Sequence, residues 1–141
     1  MDKPDPRRLA QVPLFQGLSE NDLVTLASWL DVDEFPAGRM PLREADSGYA
    51  FFVLDEGRVH AEHDGQILEV LGPGAVFGEM AFFSSDGRRA ASIVSETPIR
   101  VFTMFGTRFR VMQRDMPEVA ARLQHLFQER LARLHPTGDG A

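Results

Sequence analysis

The sequence predicts a mainly β protein with flanking helices: an antiparallel β jelly roll with a helical lead before it, and a hinge helix plus a long helix after it. Three observations carry this. Between Asp31 and Thr103, turn residues recur at Pro36-Ala37-Gly38, Asp46-Ser47-Gly48, Glu56-Gly57, Asp64-Gly65 and Gly72-Pro73-Gly74, with strand-length segments between them. Turns about 8–12 residues apart mark a sandwich or barrel, and a jelly roll suits this length. Asp64-Gly65, set between two strand-like runs, is the strongest hairpin signal in the chain. Outside this span, apolar residues switch to helical spacing.

Each element follows in order. Residues 1–11 are a polar lead, with a helical turn around Pro6 to Ala10. Gly17 punctuates, and Ser19 reads as an N-cap with Asp22 three residues on, close to a capping box. Leu23, Leu26, Ala27 and Leu30 then recur at helical spacing, so Leu18 to Leu30 is expected as a helix, with Trp29 packing near its end. Expected strands include Tyr49 to Asp55, Arg58 to His63, Gln66 to Leu71 and Ile99 to Thr103. Pro41 marks an edge or a strand start. Thr107 to Arg114 reads as a short helix, and Pro117 suits a first helical position. From Glu118 to Leu134 a broad face carries Val119, Ala120, Leu123, Leu126, Phe127, Leu131 and Leu134, with Arg122, Arg130 and Arg133 mostly off it. The expected organisation is a domain over 12–134, with the jelly roll at about 31–104 and the C-terminal helices at about 106–134. Residues 135–141 are expected as a disordered tail.

Composition limits the function classes. The chain has 141 residues, enough for one domain, and 43% hydrophobic with 26% charged residues is enough to bury a core. A net charge of −6 argues against a nucleic-acid surface, which is typically basic. No apolar run approaches the roughly 20 residues that span a bilayer, and the first residues lack the apolar core of a signal peptide. A cytoplasmic location without membrane contact is the expectation. Cysteine is absent, which removes disulfides and thiolate metal sites.

The chemistry concentrates between Gly72 and Val94, GPGAVFGEMAFFSSDGRRAASIV. Gly72-Pro73-Gly74 turns the chain, Gly78-Glu79 follows two apolar residues, and Arg88-Arg89 precede the small residues Ala90 and Ala91. Small side chains let a ligand approach the backbone, whose free N–H groups at a turn or helix start form an anion cradle. An arginine adds a forked, permanently charged donor set suited to phosphate. A glutamate can accept hydrogen bonds from sugar hydroxyls. Together these describe a pocket for a small phosphorylated sugar compound. The bland reading, a surface ion pair between Glu79 and Arg89, leaves the small residues around them unexplained.

Phe77-Gly78-Glu79-Met80-Ala81 and Arg89-Ala90-Ala91-Ser92-Ile93 resemble the phosphate-binding cassette of cyclic nucleotide-binding domains. These are the sensor modules of catabolite activator-type regulators, cyclic-nucleotide-dependent kinases and cyclic-nucleotide-gated channels. The phrase from Val12 to Leu23 is also similar to the family's N-terminal helical lead. The resemblance implies that Glu79 holds the ribose 2′-hydroxyl and Arg89 the cyclic phosphate, with backbone N–H groups near Gly78, Met80, Ala90 and Ala91 around them. The spacing from Glu79 to Arg89 is that of catabolite activator-type members; a spacing one residue shorter would assign the phosphate to Arg88. It further implies cAMP ahead of cGMP, since Ala90 follows Arg89 where some cGMP-responsive relatives carry threonine. A lid closing over the base would use Leu123, Leu126, Phe127 and Leu131. Family regulators append a DNA-binding helix-turn-helix after the long helix; none follows here, so no direct nucleic-acid binding is expected. The expected protein is a non-enzymatic sensor without a cofactor, acting on an unidentified effector protein or belonging to a longer chain.

Rival readings are weaker. His60 and His63 lie three apart on a strand, so they point to opposite faces and cannot clamp one metal ion as in cupin-like jelly-roll enzymes. They read as exposed strand histidines. No histidine or cysteine stands between His63 and His125 to ligate haem. Nucleophile motifs are missing, so catalysis has no visible agent. The phenylalanines neighbour acids rather than bases, which marks core, not a nucleic-acid stacking surface. The long helix leaves a homodimer seam open, although its stripe is too broad and interrupted for a strict heptad. A ligand-free interaction module with an empty pocket remains the rival class.

Overall fold

The run Ala50-Phe51-Phe52-Val53-Leu54 is apolar on both strand faces, which requires cover on both sides. A computed structural model, which describes residues 2–39, 50–79 and 92–134, supplies that cover around β2 (Ala50–Glu56). The strand lies inside a four-stranded antiparallel sheet with β1 (Asp31–Phe35), β5 (Val76–Phe77) and β7 (Ile99–Phe105), in the order β1-β7-β2-β5. A second, three-stranded antiparallel sheet runs β4 (Gln66–Leu71), β3 (Val59–His63), β6 (Ser92–Ser95). Phe52, Leu54, Val59, Leu71, Phe77, Ile93, Ile99 and Val101 fill the space shared by the two sheets. Phe51, Val53, Phe102 and Met104 pack on the opposite side of the first sheet, against the helices. Period-two alternation thus splits neighbouring residues of one strand between two cores.

The helices are α1 (Pro6–Leu9), α2 (Glu20–Ser28), α3 (Gly106–Asp115) and α4 (Pro117–Leu134), with a 3₁₀ turn at Pro13–Phe15. Ser19 caps α2 by accepting from the Asp22 N–H at 3.1 Å. The helix is shorter at both ends than its apolar spacing suggests. Leu18 precedes the cap, and Trp29, buried, forms the C-cap. Phe109, Met112, Met116, Val119 and Leu123 join Leu9, Phe15, Leu26 and Leu30 in one core, so the two ends of the chain pack together. Phe51 and Phe109 meet edge to face at 6.2 Å between centroids. Arg122 of α4 adds a polar tie, donating from Nη1 to the carbonyls of Leu14 at 3.1 Å and Gln16 at 2.7 Å. These are the carbonyls a 3₁₀ turn leaves unsatisfied at its end.

Turn chemistry sets the register. Asp64 and Gly65 have φ of 51° and 77°, the doubly positive pair of a two-residue type I′ hairpin joining β3 to β4. The Asp46-Ser47-Gly48 turn, Pro41, Tyr49, residues 80–91 and the tail at 135–141 lie outside the described residues. No described helix is long and apolar enough to cross a membrane.

Gly57, with φ +97°, shows what one glycine contributes. A β-carbon there would collide with the Pro98 carbonyl and stand 2.7 Å from Ile99 Cγ2 and 2.8 Å from Thr97 Oγ1. At Gly65 a β-carbon meets nothing within 4 Å. Gly65→Ala is therefore expected to cost only the left-handed backbone penalty, about 1–2 kcal/mol, and Gly57→Ala distinctly more. Urea denaturation of the two variants checks this; equal midpoints would contradict the close packing at Gly57.

Candidate functional site

β5 is two residues long, and Gly78 ends it with φ +86°, a conformation that turns the chain sharply. Glu79 follows and is 1% exposed, the least accessible charged residue described. Phe77 just before it stacks on Phe52, centroids 5.3 Å apart with rings 15° from parallel. Its side chain is thus committed to the core, where it fixes the strand that delivers Gly78 and Glu79.

The partner of Glu79 comes from the far end of the chain. Arg130 of α4 donates from Nη1 to Glu79 Oε1 at 2.6 Å, although its helical position had placed it with the off-face arginines. That expectation is corrected: the Arg130 side chain is 14% exposed and turns inward. Nothing local in the sequence signals the contact, because Glu79 is 51 residues away. Glu69 of β4 extends the chain of charges, 4.0 Å from Arg130 Nε and 3.6 Å from Arg133 Nη1. Two acids from the sheet side and two arginines one helical turn apart so form an alternating row.

The row is incompletely satisfied. Glu79 Oε2 and Arg130 Nε are buried, and neither has a hydrogen-bond partner among the described residues. Burial pushes the Glu79 carboxyl above its ordinary range, and the Arg130 charge opposes this. A buried oxygen lacking a donor beside a second oxygen that has one is an acceptor in waiting.

The other residues singled out from the sequence divide. Met80, Ala81, Arg88, Arg89, Ala90 and Ala91 lie outside the described residues. Leu123 is fully enclosed in the helical core, so it anchors α4 from below. Leu126 packs partly on the same core, Phe127 is half-buried, and Leu131 is 37% exposed. The first half of α4 is therefore held by apolar burial, and the charge row joins partial apolar packing in the second half. Among the described residues no group of three or more His, Asp or Glu is placed to hold a metal ion. His60 is not the exposed strand histidine expected: its side chain is 12% exposed, with Glu62 and Glu96 on its two ring nitrogens.

Removing one partner of a buried ion pair strands the other. Arg130→Met is expected to destabilise the protein by up to about 3–5 kcal/mol, and Glu79→Gln in that background to restore part of the loss. A double-mutant cycle by urea denaturation measures the coupling; additive losses would mean that the pair carries none.

Comparison with known proteins gives the same frame. Residues 32–115, more than half of the chain, match the family model described as cyclic nucleotide-binding domain. A cyclic nucleotide-gated potassium channel of Rhizobium etli is 32% identical over 86% of this chain and 34% of its own length. The cyclic AMP receptor protein of Thermus thermophilus is 30% identical over 84% of this chain and 57% of its own. The chain thus spans about a third to three-fifths of these relatives. The crystal structure of the Thermus thermophilus catabolite activator protein superposes with a TM-score of 0.78 at 30% identity, over 90% of this chain and 62% of that one. The jelly-roll fold, the cassette motif and the matched segment agree, and the protein belongs to the cyclic nucleotide-binding domain family.

Proposed function

We propose that this domain reversibly binds a 3′,5′-cyclic purine nucleotide, cAMP ahead of cGMP, and relays its occupancy through α3 and α4 without catalysing a reaction. The observation that carries this is Glu79: buried, held by Arg130 through one oxygen and left with the other open. A ribose 2′-hydroxyl is a neutral donor that can occupy this oxygen without adding charge to a buried place. The name of the Thermus thermophilus receptor supports cAMP as the ligand class, and Arg89 is the proposed partner of the cyclic phosphate. Leu126, Phe127 and Leu131 are the lid candidates, since they lie along the half of α4 that the charge row holds. The effector is either another protein or a further part of a longer chain.

One observation favours a second reading, a ligand-free interaction module. The acid that would bind ribose already has a cation, so α4 is tied down before any ligand arrives. Isothermal titration calorimetry separates the two. Saturable heat with cAMP, weaker with cGMP and weaker again with 2′-deoxy-cAMP, is expected; no heat at near-millimolar ligand would leave the second reading.

Variants test the roles. Arg89→Ala is expected to weaken binding by roughly 2–5 kcal/mol, the usual loss when one member of a desolvated charge pair is removed, and Arg88→Ala by far less. The reverse order would assign the phosphate to Arg88. Glu79→Ala is expected to cost about 1.5–3 kcal/mol, since the hydroxyls it faces are neutral.

A ligand shifts a conformational equilibrium only by its differential affinity for the two states. Saturating cAMP should therefore raise hydrogen-exchange protection over residues 106–134. Unchanged protection at full occupancy would make the domain a binder that does not switch.

A further inference from the structure

His60 is the second residue of β3, on the face turned away from the sandwich interior. Its Nδ1 lies 2.8 Å from Glu96 Oε2, in the turn between β6 and β7, and its Nε2 lies 2.7 Å from Glu62 Oε1, two residues along β3. Arg58 donates from Nε to the other oxygen of Glu96 at 2.6 Å. The residues opposite His60 on the neighbouring strands are Val70 of β4 and Val94 of β6, so those strands bring no charge against the ring. Among the described residues the charged groups facing the cluster are therefore Arg58, Glu62 and Glu96.

A neutral imidazole has one N–H and one lone pair. With a carboxylate oxygen on each nitrogen, the neutral ring would direct that lone pair at an acceptor, whereas the imidazolium donates to both. The charge count agrees: Arg58 and protonated His60 balance Glu62 and Glu96. The same turn is docked by backbone bonds, from the Glu96 N–H to the Arg58 carbonyl and from the Arg58 N–H to Thr97 Oγ1, both at 2.9 Å.

We infer that His60, Glu62 and Glu96 form a proton-dependent clasp that fastens the β6–β7 turn to β3 and loosens when the ring loses its proton. Burial by itself would lower the pKa of the ring, but the hydrogen bonds and charges of the two glutamates outweigh it and raise it. Glu96 is held below its ordinary value by the hydrogen bonds of Arg58 and then of His60. A raised histidine gives stability that is complete below its unfolded pKa of about 6.5 and is lost as pH climbs through the folded value. The clasp thus opens as pH rises above the ordinary histidine range. Its place gives it reach, since β6 is the strand that leaves residues 80–91.

NMR of the full chain tests this with ¹⁵N-labelled histidine. At about pH 6.5 more than half of the His60 rings should carry protons on both nitrogens, and the titration midpoint should lie above the ordinary histidine value and fall in Glu62→Gln and Glu96→Gln. The parent protein should lose melting temperature as pH rises above about 6.5, and thermal unfolding of His60→Gln should lack that decline. Exchange of the Glu96 amide, corrected for intrinsic base catalysis, should speed up over the same range. A midpoint at or below the ordinary value, or a ring mostly with one bare nitrogen at about pH 6.5, would overturn the clasp. Should His60→Gln fail to fold, the titration of the unmodified chain decides alone.

Discussion

A carboxylate out of water is the constraint from which the arrangement of this domain follows. The desolvation of one ion costs several kcal/mol in a real protein and must be met by a close counter-charge. Glu79 is almost wholly shielded from water in this arrangement, and the cation beside it comes from α4 rather than from its own neighbourhood. The short β5, the left-handed Gly78 and the stacked Phe77 turn the acid inward. Val119 and Leu123 set α4 at the depth where Arg130 can meet it. Fold and site are thus one construction, and the site's position depends on the helical end being in place.

The four-stranded sheet links these parts. Its strands β2 and β7 divide their side chains between the sandwich interior and the helical core, so displacement of one layer is felt by the other. Close-packed interiors transmit strain in this way, because few voids exist to absorb it. Thr103 shows how little slack there is: fully enclosed, it donates its hydroxyl to Asp33 Oδ2 at 2.7 Å across β1 and β7. The proposed relay to α4 would thus have two routes, through the sheet and through the Glu79–Arg130 contact.

Much of this was legible in the sequence because it is local. Asp64-Gly65 specifies its turn through two residues that tolerate positive φ, and Ser19 and Asp22 specify a helix start within one turn of chain. Turns on either side marked Tyr49 to Asp55 as a strand, but that both of its faces are covered became visible only once the two cores were in place. Arg130 was not legible, because amphipathic spacing assigns a side chain to a face but cannot show that an arginine at the margin of that face is drawn under by a distant acid. His60 was misjudged for a related reason. Strand alternation sends it outward correctly, but the Glu96 turn that covers it lies 36 residues on. Glu79 was found from its motif, whereas its burial became visible only in three dimensions.

Arg122 turns α4 into a lever. Its two bonds to the Leu14 and Gln16 carbonyls pin the helix near its first third. Arg130 lies eight residues further on, about 12 Å from that pin at the α-helical rise of about 1.5 Å per residue. Pivoting there by about 10° would carry Arg130 through about 2 Å, enough to open its bond to Glu79, since hydrogen bonds weaken steeply beyond about 3.2 Å. A small rotation at the base, hardly felt where the helix meets the N-terminal turn, would thereby be magnified into the loss of that bond at its far end.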